Sequence, residues 1–160
     1  MGDTYSVRPL AADEAPKAFP LVHHIEPDLS LNAWCAFALG RIGPPKAPRD
    51  QGILVVETAT GYLHGLVSYL LIDHALIGRT LTCDHIAVPD LFSFDAPLSE
   101  MMAAVHRHAA ATGCLHIQFS IPCSAASNDS RLCRELRAEG YAPGPQLFRR
   151  VLPGAPGTDQ

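Results

Sequence analysis

Between residues 53 and 88 three β-type runs follow one another with short breaks, and this restricts the fold more than any other feature. Ile53-Leu54-Val55-Val56-Glu57 is the first, and Thr60-Gly61 supplies a turn into the second, Tyr62 to Ile72. A loop around Asp73–Gly78 leads to the third, Thr80 to Val88. Connections this short return each strand antiparallel to the last, because a parallel neighbour needs a crossover of about a dozen residues or more. A three-stranded meander is expected.

On either side of it the pattern changes. Tyr5-Ser6-Val7-Arg8 alternates and Pro9 stops it, which suggests a short first strand. Asp13 is placed to cap a helix with Ala15, Ala18, Phe19, Val22 and Ile25 on its apolar face; Pro20 predicts a kink or split in it. Ser30 caps a second helix with the stripe Leu31, Trp34, Cys35, Ala38 and Ile42, and Gly43-Pro44-Pro45 ends it. After the meander, Asp95-Ala96-Pro97 opens a helix with the stripe Leu98, Met101, Met102, Val105, Ala109 and Thr112, and Gly113 stops it. Cys114 to Ile121 alternates as a strand. A last helix capped by Ser127 or Ser130 buries Leu132, Cys133 and Leu136, and Leu147 to Leu152 closes the chain as a strand. Strand–helix–strand units make parallel pairs, so the meander and the later units together give a mixed sheet.

The 160 residues suit one domain, assigned to 1–152, with 153–160 as a disordered tail. A net charge of −4 with scattered Lys and Arg argues against a nucleic-acid surface. No run approaches the eighteen or so apolar residues of a membrane span, and the start carries no apolar leader. Five cysteines at neither framework nor metal spacing suggest reduced thiols, hence a cytoplasmic protein. Eight histidines raise a metal site, but His23-His24 and His106/His108 do not share helix faces, so no metal is expected.

Element order combines with particular residues: YSVRPLAADEA at the start, GYLHGLVSYL and CDHIAVPD on successive strands, then SNDSRLCRELRAEGY and FRRVL. Over about residues 5–152 this resembles the GNAT superfamily of acyl-CoA-dependent N-acyltransferases. The resemblance implies an α/β (α+β) fold, with a mixed, mostly antiparallel sheet of six to seven strands flanked by about four helices. It also implies acetyl-CoA or another acyl-CoA as co-substrate, a small-molecule or peptide amine as acceptor, and a homodimer in some members. In the family the fourth and fifth strands splay apart, and the pantetheine arm pairs with the fourth. That arm would lie on the main chain of Ile86, Ala87 and Val88.

The family's pyrophosphate loop is altered here. Its Arg/Gln, Gly and Gly/Ala positions fall on Ser93, Ala96 and Leu98 within SFDAPL. Leu98 is expected to obstruct the phosphates, Pro97 removes a donor, and Asp95 adds a negative charge. Ser127 and Asn128 sit where the family has a cofactor-contacting Asn, though N-capping explains them equally well.

Acyl transfer to an amine needs a base, donors for the oxyanion and an acid for the thiolate. Asp84 matches a position that holds Glu in some members, and His85, with an unperturbed pKa of about 6.5, is the alternative base. The two are expected on opposite faces of their strand. Leu136 replaces the family's Tyr acid, which leaves Tyr141 as a substitute. His24, Glu26 and Trp34 fall near the expected acceptor pocket. Two functions follow: an N-acyltransferase, or a degenerate GNAT-like domain that binds a ligand or partner without catalysis.

Overall fold

The computed structural model describes residues 4–44, 50–89, 95–121 and 130–144. The chain divides after Ala126 into a larger and a smaller unit. In the larger unit, β1 (Tyr5–Pro9) leads through a 3-10 turn (Ala12–Glu14) into α1 (Ala15–Ile25) and α2 (Leu31–Ile42). Then follow β2 (Gln51–Thr58), β3 (Leu63–His74), β4 (Gly78–Ala87), α3 (Asp95–Ala111) and β5 (His116–Phe119).

The five strands form one sheet in sequence order. β1 to β4 pair antiparallel, and β5 joins β4 in parallel through the α3 crossover. The mixed, mostly antiparallel sheet is therefore present with five strands among the described residues. The expected strand at 147–152 and the tail 153–160 lie outside them. The β3–β4 connection is tighter than a loop over Asp73–Gly78, since the strands stay paired to His74↔Gly78. Gly78 takes φ 79°, which a side chain would disfavour.

Side-chain alternation assigns the faces of the sheet. Leu66 belongs to the core that α1 and α2 build with Ile53, Val55 and Ala87. Its neighbour Gly65 faces the other way, where an added Cβ would lie 3.0 Å from Met101 Cε on α3. Helices thus cover both faces. Trp34 anchors the first layer: its side chain is fully buried, and its indole N–H donates to the Ala15 carbonyl at 2.8 Å, joining α2 to α1.

Three local expectations change. α1 runs unbroken across Pro20. Pro16 and Pro20 are both exposed, so the carbonyl that Pro20 cannot serve is on the solvated side of the helix. Asp13 lies inside the 3-10 turn and does not cap α1. Leu31 is exposed, whereas Trp34 and Ala38 are the buried residues of α2. The cap at Ser30 is as expected, with its Oγ accepting from the Ala33 N–H at 3.1 Å.

Arg8 ties the first turn to the sheet. Its guanidinium donates to both Glu14 oxygens at 2.7 and 2.8 Å and to both Glu57 oxygens at 2.9 and 3.0 Å. The hydrogen bonds from Arg8 hold the Glu14 carboxyl at about 2, below its ordinary 4.5, and lower that of Glu57. A depressed carboxyl contributes stability that is complete above its unfolded value and lost as pH falls through its folded one. The urea midpoint should therefore drop as pH falls from about 4.5 towards 2. Arg8→Met should flatten that dependence; an unchanged slope would show that the cluster is decorative.

In the smaller unit, α4 (Arg131–Ala138) is capped by Ser130, whose Oγ accepts from the Cys133 N–H at 3.2 Å. Gly140 follows at φ 91°.

Candidate active site

β5 pairs with β4 only over Thr80–Cys83, and the last contact is the Ser120 N–H to the Cys83 carbonyl at 2.8 Å. Beyond Cys83 no strand among the described residues pairs with that side of β4, while β3 continues along the other side to Ala87. Among the described residues, 84–88 thus form an edge with no strand paired on that side, where main-chain groups could meet a ligand.

The splay begins at a β-bulge. Tyr69 is opposite Cys83 and Ser68 opposite His85, so Asp84 has no partner on β3. The extra residue changes the phase of the strand. Cys83 shares the α3 side with Tyr69, whose ring packs on His108, whereas His85 shares the α1/α2 side with Ser68 and Ala87. Asp84 also turns to α2. The expectation of opposite faces for Asp84 and His85 is thus corrected, and the bulge is the reason.

Asp84 is clamped from two sides. Arg41 Nη2 of α2 donates to its Oδ2 at 2.6 Å, and Ser68 Oγ of β3 to its Oδ1 at 2.6 Å. Burial opposes the charge on Asp84, but the interactions with His85, Ser68 and Arg41 prevail and hold its carboxyl at about 2. The His85 ring packs 4.7 Å from that of Phe37. Its Nδ1 is 3.7 Å from Asp84 Oδ1, and its Nε2 is 3.8 Å from Glu26 Oε1. Val22, Ile25, Glu26, Leu66, His85, Ile86 and Ala87 line a small pocket next to the open edge. Cys83 is no nucleophile, since burial pushes its thiol up to about 12.

Comparison with solved structures gives close overlays along nearly the whole chain. The aminoglycoside N-acetyltransferase AAC(6')-Iy in complex with CoA matches at TM-score 0.75 and 13% identity, over 96% of this chain and 97% of that one. A ribosomal-protein-alanine N-acetyltransferase from Brucella melitensis biovar Abortus 2308 matches at 0.69 and 15%, over 93% and 100%. Glucosamine-6-phosphate N-acetyltransferase from Arabidopsis thaliana matches at 0.67 and 15%, over 92% and 99%. The chain has the GNAT fold. No family model matches the sequence, and no curated protein matches it either.

Within the GNAT fold, the residues singled out from sequence separate into groups. Asp84, His85, Glu26, Ile86 and Ala87 come together, with Val88 next on the open edge. His24 is exposed on the last turn of α1. Trp34 is a correction: it is 1% exposed with its only polar atom satisfied, so its side chain is part of the helix core and no pocket wall. Leu98 is a second correction. Its side chain is buried with Met101, Met102 and Val105, so it cannot obstruct the mouth of α3, while Asp95 and Ala96 are exposed there. Tyr141 belongs to the smaller unit, where its main-chain N–H closes α4 on the Leu136 carbonyl at 3.0 Å. Ser93, Ser127 and Asn128 lie outside the described residues.

Sequence reasoning missed Arg41, Ser68 and Phe37. One signal was present: polar residues occupy 80, 82 and 84 and then 85, and such a doubled position marks a bulge. Among the described residues no three His, Cys, Asp or Glu side chains gather as a metal site, and no helix is long and apolar enough to cross a membrane.

Proposed function

We propose that the protein is an acyl-CoA-dependent N-acyltransferase acting on a primary amine, with His85 as the base. The observation that carries this reading is the open edge of β4 adjoining the His85 pocket. Pantetheine is an amide chain, and an unpaired strand edge supplies the donors and acceptors it needs. The similarity in fold to N-acetyltransferases, one of them in complex with CoA, supports the same reading.

The neutral amine nitrogen attacks the thioester carbonyl, and main-chain N–H groups along 86–88 stabilise the oxyanion. The amine proton passes to His85 Nε2. The C–S bond then breaks, and the thiolate takes a proton from water. Asp84 is unsuited to the base role, because a carboxyl held at about 2 has almost no proton affinity at neutral pH.

Titration calorimetry with acetyl-CoA, followed by thiol release across a panel of primary amines, tests this reading. Saturable binding and amine-dependent thiol release are expected; no heat at millimolar acetyl-CoA would overturn it. The altered α3 mouth adds a further expectation. Pro97 supplies no N–H there and Asp95 is acidic, so CoA should bind more weakly than a full family loop allows. Ala96→Gly should tighten CoA more than pantetheine. Equal effects on both would show that this turn does not meet the phosphates. Leu98 is left intact, since removing a core side chain would open a cavity.

A further inference from the structure

We infer that the acceptor is a short, unbranched alkylamine, held as its ammonium ion by Glu26 with its chain on the aliphatic floor of the His85 pocket. This rests on the proposed reading of that pocket as the acceptor site, and adds the class of amine that it takes.

The lining has two kinds of surface. Val22 and Ile25 of α1 and Glu26 at its C-terminal cap are three and four residues apart, so they share one face of the helix. Leu66 of β3 and Ala87 of β4 complete the floor, and with Val22 they belong to the buried core. The side chains of Val22, Ile25, Leu66 and Ala87 carry no polar atom. A sugar hydroxyl or a peptide amide laid on them would give up water and gain no side-chain partner. Methylene groups lose nothing there and are favoured. The pocket is also small, which limits the chain to a few carbons.

Glu26 and His85 supply the polar side chains of the lining. Glu14, Glu57 and Asp84 each have an arginine partner. Glu26 has none among the described residues. The polar side-chain group nearest its carboxylate is His85 Nε2, 3.8 Å from Oε1 and too far for a hydrogen bond. A single nitrogen placed between Oε1 and Nε2 is within hydrogen-bond reach of both. An ammonium is the head group that this pair fits, with the carboxylate to hold its charge and the imidazole beside it. Before attack it yields one proton to solvent, and the second passes to His85 in the transfer already described. A carboxylate next to the amine, as in a free amino acid, would bring like charge to Glu26.

The test follows thiol release by the full chain with acetyl-CoA and the series methylamine to hexylamine, whose members hardly differ in basicity. kcat/KM is expected to rise about fourfold per added methylene and to level off once the pocket is full. Ethanolamine, nearly isosteric with propylamine but ending in a hydroxyl, should be at least about tenfold poorer, as should glucosamine and glycine. Glu26→Gln, at a half-buried position with no hydrogen bond to lose, should raise KM for butylamine roughly tenfold, with acetyl-CoA affinity within about twofold. Turnover of glucosamine or glycine faster than of every alkylamine, a rate independent of chain length, or an unchanged KM in Glu26→Gln would each overturn the inference and leave the acyltransferase reading standing. If no amine releases thiol, the proposed function falls, and titration of butylammonium followed by NMR decides the site alone. Saturable binding that weakens roughly tenfold in Glu26→Gln would uphold it; no saturable binding to the parent chain would overturn it.

Discussion

Replacing His85 by Gln is expected to lower kcat by about 10²–10⁴-fold while acyl-CoA affinity stays nearly constant, the range for loss of a general base. The geometry explains why this exceeds the effect of Asp84→Asn. Both Asp84 oxygens already accept bonds from Arg41 and Ser68, and its carboxyl is held at about 2. On the proposed reading it is therefore not the base. Asp84→Asn removes the charge beside His85 and keeps the side-chain shape, so a smaller loss, roughly tenfold, is expected. Single-turnover kinetics across a pH series separate the two. Turnover that survives His85→Gln but collapses in Asp84→Asn would return the base role to Asp84.

The largest stability effect is expected at Trp34. Trp34→Ala removes a fully buried indole from the contact of α1 and α2 and leaves the Ala15 carbonyl without its donor. Truncating a buried aromatic costs about 3–5 kcal/mol, which for a chain of this size lowers the melting temperature by roughly 10 °C. Trp34→Phe keeps much of the apolar area and loses the hydrogen bond, so about 1–2 kcal/mol is expected. Urea unfolding of the three proteins checks the ordering. If Phe and Ala cost the same, the indole N–H dominates; if Phe is neutral, that bond contributes nothing net. Weak acceptor binding with unchanged stability in Trp34→Ala would contradict the placement of this side chain.

The meander, the α3 crossover and the caps at Ser30 and Ser130 were legible because each rests on a short-range rule. Gly61 and Gly78 mark turns, a hydroxyl caps a helix, and a parallel strand needs a long connection. The resemblance to the GNAT family drew attention to residues 86–88, which follow the last β4–β5 pair. The clamp was not legible. Arg41 in the last turn of α2 is ordinary dipole chemistry in sequence, and Ser68 is one polar residue in an apolar run. Their partnership depends on a fold that brings positions 41, 68 and 84 together. Leu98 was misplaced because a phosphate-loop alignment assigns a position and cannot assign the direction of a side chain. Burial of Leu98 follows from the same stripe that predicted α3.

The bulge at Asp84 makes β4 a strand with two reading frames. Odd-numbered residues up to Cys83 face the α3 layer with Tyr69, and odd-numbered residues from His85 onward face the opposite layer. Deleting residue 84 would make Cys83 and His85 ordinary neighbours on opposite faces, so the ladder would run regularly and both segments would keep their sides. An insertion or deletion elsewhere in β4 would instead force one segment to exchange them. An ungapped alignment of β4 with a strand that lacks the bulge would therefore carry roles to the wrong face beyond residue 84, even where every neighbouring residue agreed.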